Sequence, residues 1–209
     1  MKILAALLLI ATAPALSAST THYTVQTQGK RAGEQITRVA EDGSVTVDFS
    51  FRENGRGPDL KERFKLAKDG TFLDYSAKGK STFGAPIDDS FVRNGTRAQW
   101  QSLADRGNTA ITRPAQYVPT EVWPEAVARI ARATALQPGK RIAALPAGEL
   151  SVEKLRDERI QLNGRSRAIS LYAVSGMDVE PSYVWLTRAP ELHLFASIYP
   201  GWFRLVETG

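Results

Sequence analysis

Apolar and polar residues alternate with a period of two along most of this chain. In the stretch VTVDFSF, Val45, Val47, Phe49 and Phe51 fall on one side, and Thr46, Asp48 and Ser50 on the other. That is the pattern of a strand with one dry face. The same alternation predicts strands over residues 23–28, 34–40, 44–52, 59–67, 72–80, 88–93 and 98–103. After residue 149 it predicts strands over 150–155, 159–163, 168–174, 183–187, 192–198 and 202–206. The separators include Asp42-Gly43, Asn54-Gly55, Asp69-Gly70, Asn94-Gly95 and Asn163-Gly164, which supply the positive φ angles of tight hairpins.

The period changes once. In PEAVARIARATA, Val127, Ile130, Ala131 and Thr134 stand at i, i+3, i+4 and i+7, which predicts an amphipathic helix near 124–135. Pro124 suits its first turn and Pro138-Gly139 its end. The pattern assigns Arg129 and Arg132 to the outer side. A long antiparallel sheet curls, and its apolar face needs a cover. The predicted class is therefore mainly β (α+β). We expect a single domain over 20–209, built as one strongly curved antiparallel sheet or open half-barrel with the helix on its concave face.

The first residues change the picture of where this domain works. Lys2 precedes an apolar run from Ile3 to Ala11, and small residues follow at Ala13, Ala15, Ser17 and Ala18. That order predicts a signal peptide over 1–19, cleaved between 15 and 20, and a periplasmic or secreted destination with no membrane span after its removal. The run is too short to cross a bilayer. There is no cysteine, so neither disulfides nor a lipid-bearing cysteine contribute, and stability has to come from a packed core. The net charge of +5 is spread along the chain without the basic and aromatic pattern of a nucleic-acid binder.

Candidate chemistry is sparse. His22 and His193 are the two histidines, far apart in sequence and outside any zinc-binding spacing. No catalytic residue, metal ligand or cofactor is assigned. Two acids stand out. Glu62 shares its face with Leu60, Phe64 and Leu66, and Asp89 with Ile87 and Phe91. An unpaired buried charge is costly, so each should meet a cation, a hydroxyl or a ligand. A pair of carboxylates across an open cleft would also suit glycoside-type hydrolysis. Late aromatics, Trp185, Tyr199, Trp202 and Phe203, form a docking surface if exposed and a sheet core if buried.

Several segments together carry a resemblance: NGRGPDLKERFKLAKDGTF, STFGAPIDDSF, YVPTEVWPEAVARIARA, LPAGEL, GMDVEPSYVWL and LFASIYPGWFRLVETG. They resemble the N-terminal, non-catalytic β region of secreted bacterial amidohydrolase-family proteins. The resemblance implies an accessory domain that docks on a metal-dependent hydrolase barrel, either a partner or a continuation beyond Glu207-Thr208-Gly209. The barrel's opening His-x-His motif has no counterpart here, so no metal ligand carries over. The alternative is a free-standing periplasmic module that binds an amphiphile. The expected shape is similar to the half-barrels that carry lipids and lipoproteins between bacterial membranes.

Overall fold

The computed structural model describes residues 17–189, 191–199 and 203–208. Most of the expected signal peptide, and Trp202, lie outside them. Eight strands follow one another as a meander: β1 (Ser19–Thr27), β2 (Lys30–Val39), β3 (Val45–Phe51), β4 (Asp59–Leu66), β5 (Phe72–Lys80), β6 (Pro86–Asn94), β7 (Arg97–Gln101) and β8 (Arg106–Ala110). A short strand β9 (Ala115–Tyr117) leads to the helix α1 (Pro124–Ala135) and one 3-10 turn at Pro138–Lys140. A second meander follows: β10 (Arg141–Leu145), β11 (Glu149–Leu162), β12 (Arg165–Ser175), β13 (Ser182–Thr187), β14 (Leu194–Tyr199) and β15 (Phe203–Glu207).

The two meanders form one sheet in the order β8-β7-β6-β5-β4-β3-β2-β1-β15-β14-β13-β12-β11-β10-β9. All described pairings between named strands are antiparallel except β9 with β10. First and last strands meet in the middle, with Tyr23 opposite Glu207 and Val25 opposite Leu205. The sheet is open, and β8 and β9 are its two ends. It curls far enough for side chains of β9 to touch β5 and β6. The Gln116 side chain accepts the Phe72 amide at 3.1 Å, and Tyr117 stacks on Phe91 with centroids 4.6 Å apart. The predicted fold class is what the chain adopts. The likeness to a barrel comes from side-chain contact across the opening, with no hydrogen-bonded closure among the described strands.

The helix lies against the concave face. Ten of its residues are buried, including Ala126, Ala128, Ala131 and Ala133. Small side chains let the sheet approach closely from both halves. On one side α1 packs against β9 to β14. On the other, Trp123 meets Phe49 with centroids 5.3 Å apart. A Cβ on Gly70 would come within 3.4 Å of the Ala133 backbone, so that turn fits tightly against the helix. Arg132 sits in the last turn, where a cation complements the helix dipole.

Three expectations need correction. Arg129 does not face outward: it is 6 % exposed, because a second inward partner, Glu125, neutralises it. The segments 150–155 and 159–163 are one long strand, β11, whose register shifts between Lys154 and Arg156. The shift re-aims its distal half, so that Ile160 and Leu162 pack with Ile169, Trp185, Phe195 and Val206 in a second small apolar cluster. Finally, β8 and β9 were not anticipated. Residues RGNTA and AQY are too short and too polar to show a period.

Candidate functional site

Straight cross-strand pairing lines up Thr37, Val47, Glu62, Ala77 and Asp89 on β2 to β6. All five face the concave side. The two acids singled out in the sequence thus share one row, two strands apart, which is about 9.5 Å between backbones. Both are buried: Glu62 is 0 % and Asp89 2 % exposed. The alternation in β4 and β6 that placed them inward holds.

Each acid meets a phenol. The Tyr75 hydroxyl donates to Glu62 Oε1 at 2.6 Å. The Tyr117 hydroxyl donates to Asp89 Oδ1, and the Thr120 amide to Oδ2 at 2.8 Å. The Tyr75 and Tyr117 rings lie 6.0 Å apart. Burial, together with the neighbouring carboxylates, raises the pKa of both tyrosines, so the phenols stay protonated and act as donors. Glu62 Oε2 has no hydrogen-bond partner among the described residues. Burial pushes the Glu62 carboxyl up to about 7; the Tyr75 hydrogen bond pulls it down, and nearby Glu125 pushes it up further.

Helix α1 adds a third acid. Glu125 Oε1 accepts from Arg129 Nη2 at 2.6 Å and from its Nε at 2.8 Å. Its Oε2 accepts from Thr37 Oγ1 at 3.0 Å and Gln35 Nε2 at 3.2 Å. The Arg129 guanidinium lies over the Phe64 ring, 5.8 Å from its centroid. The result is a buried polar island between helix and sheet, satisfied mainly by its own members. Neither Glu62 nor Asp89 lines any of three surface grooves among the described residues. The arrangement suits structural pairing; a hydrolytic pair would need a cleft that admits substrate and water.

The aromatic candidates separate. Phe203 is 3 % exposed and packs with Phe49, Phe51 and Tyr199. The Tyr199 hydroxyl donates to the Val122 carbonyl at 2.8 Å. Phe203 is therefore core on the concave side, with half-buried Tyr199 packed against it, and the docking expectation fails at Phe203. Alternation shows that β15 has two unlike faces, but which of them turns inward depends on distant strands. Trp185 is half-buried in the second cluster, and its indole N–H donates to Glu158 at 2.9 Å.

Sequence reasoning missed Tyr75, Tyr117, Gln35, Glu125 and Arg129. A partial signal existed for the last two, since Glu125 and Arg129 stand at i and i+4, the spacing of an intrahelical ion pair. The tyrosines gave none, because their partners lie 13 and 28 residues away.

No protein-family model and no curated protein matches the sequence. Among solved structures, the chain is similar to a β-barrel-like protein of the domain of unknown function DUF1849 from Brucella abortus. The identity is 11 % and the TM-score 0.50, covering 91 % of this chain and 94 % of that one. A DUF1089 family protein from Pseudomonas aeruginosa aligns over 95 % of this chain and 98 % of its own, at 13 % identity and a TM-score of 0.35. The first likeness places the fold among β-barrel-like sheets; the second superposes too loosely to bear on it.

Proposed function

We propose that this chain is a non-catalytic docking module that engages its partner through its outer surface. The observation that supports this reading is the filled concave face. Helix α1 occupies it with ten buried residues, and the inward acids are spent on Tyr75, Tyr117 and Thr120. A carrier of amphiphiles would need that space for its cargo. The sequence resemblance contributes the class of partner, a secreted or periplasmic amidohydrolase, with this chain as its accessory domain.

The reading is tested on the purified chain. It should hydrolyse neither amide nor ester substrates, with or without added zinc. It should also show no saturable uptake of a fluorescent fatty acid. One-to-one fatty-acid binding that perturbs Trp123 and α1 would overturn the reading and turn the concave face into a cargo site. Turnover abolished by Glu62→Gln would overturn it in the other direction.

A further inference from the structure

The turns at the two ends of the sheet differ in chemistry. One end carries Asp42-Gly43, Asp69-Gly70, Asn94-Gly95 and Asn163-Gly164, polar sequences that suit a hairpin tip in water. The strands alternate in direction, so the connections β1–β2, β3–β4, β5–β6, β7–β8 and β12–β13 lie at the other end. Among the described residues, the three most exposed large apolar side chains are Val179, Phe83 and Leu103, at 97 %, 73 % and 66 %. All three lie at this second end. Phe83 stands on the β5–β6 turn and Leu103 on the β7–β8 turn, and these hairpins are neighbours through the pairing of β6 with β7. A single exposed leucine is ordinary; the informative point is that the most exposed apolar residues gather at one end.

The backbones of both tips are already satisfied. In the β5–β6 turn the Ser81 amide donates to the Ala85 carbonyl at 2.8 Å, and the Gly84 amide to the Ser81 carbonyl at 3.0 Å. In the β7–β8 turn the Ser102 amide donates to the Asp105 carbonyl at 2.7 Å. The Ser102 hydroxyl accepts from the Ala104 and Asp105 amides at 3.2 and 3.0 Å. Cations stand at the same end. Lys30 opens β2, Arg56 lies between β3 and β4, Lys80 ends β5 and Arg106 opens β8. All four are exposed, and none forms an ion pair among the described residues. The acids near them are engaged: Glu34 and Asp59 pair with Arg31 and Arg52, Glu53 accepts from Gln28, and Asp105 accepts from the Trp100 N–H.

We infer that this end of the sheet docks on the surface of an anionic phospholipid bilayer. Phe83 and Leu103 enter the boundary between headgroups and acyl chains, where an apolar side chain gains burial. The unpaired cations meet the lipid phosphates. Asp178 and Glu180 flank Val179, so the contact is centred on Phe83 and Leu103 and not on that loop. The inference goes beyond the docking reading, which concerns a protein partner, and neither depends on the other.

The test is co-sedimentation with sucrose-loaded vesicles, of phosphatidylethanolamine mixed with phosphatidylglycerol or of phosphatidylcholine alone. Residues 17–209 are used, which hold every described strand and the helix and omit the apolar run from Ile3 to Ala11, a segment that would bind lipid by itself. The protein should bind the anionic vesicles, leave them at high salt, and bind phosphatidylcholine more weakly. Phe83→Ser and Leu103→Ser should each weaken binding about tenfold, the loss of one buried apolar side chain. Lys80→Glu combined with Arg106→Glu should abolish the preference for phosphatidylglycerol. Leu136→Ser, exposed beside the Gly70 turn at the opposite end, should leave binding unchanged. No binding to either vesicle, or an equal loss from Leu136→Ser and the tip variants, would overturn the inference and leave the docking reading intact. A concentration-dependent dimer in sedimentation velocity that Leu103→Ser dissolves, without vesicle binding, would assign the tips to a second copy and overturn it as well.

Discussion

At the scale of single residues, Glu62 is the most consequential group in the core. Its carboxyl titrates near 7 in the fold against 4.5 in the unfolded chain, chiefly because burial disfavours the charge. A raised folded pKa means that the native state binds the extra proton. The stabilisation is complete below the unfolded value, declines between about pH 4.5 and 7, and is lost above that. The shift corresponds to about 3 kcal/mol as an order of magnitude. Glu62→Gln keeps an acceptor for Tyr75 and removes the titration. Urea unfolding at pH 5 and pH 8 should therefore show wild type losing up to about 3 kcal/mol relative to the variant. Parallel pH profiles for the two proteins would refute this account of Glu62.

At the scale of the element, α1 shows how far a local pattern reaches. Its period, its Pro124 start and its stop near Pro138 were legible, because a helix is a local object with local signals. The environment of Arg129 was not. Alternation places a cation outward by default, since burying it alone is costly. Here Glu125 is buried beside it and is held in turn by Gln35 and Thr37 on β2, about ninety residues away in the chain. Arg129→Ala should cost roughly 3–5 kcal/mol, because it leaves Glu125 buried without its cation. The double change with Glu125→Gln should recover part of that loss. Arg132→Ala, on the half-exposed side, should cost about 1 kcal/mol, mostly from its packed stem. Denaturant midpoints of the four proteins decide it, and equal losses at Arg129 and Arg132 would contradict the buried pair.

At the scale of the whole molecule, the seam between β1 and β15 makes one sheet of two meanders. Val25 and Leu205 face each other there, both fully buried. Leu205→Ala should cost about 2–5 kcal/mol. Amide exchange should show β3 and β12 opening in the same cooperative event after this change, because each half depends on the other for its core. If one half opened alone, the seam would be a contact between two independent units. Pairing the two ends of the chain is also a long loop closure, so refolding should be slow for a domain of this size.

The sequence by itself determined most strands, the hairpin turns, the single helix and the inward placement of Glu62 and Asp89. These follow from periods of 2 and 3.6 and from turn residues, which act over a few positions. Only the tertiary structure decided that Tyr75 and Tyr117 close over those acids, that Arg129 turns inward, and that Phe203 is core. It also produced β9, whose three residues are a strand because β10 lies beside them. Each of these depends on which distant segment arrives alongside. That is settled by the curl of the sheet and the seam at its centre, long-range pairings that no local alternation encodes.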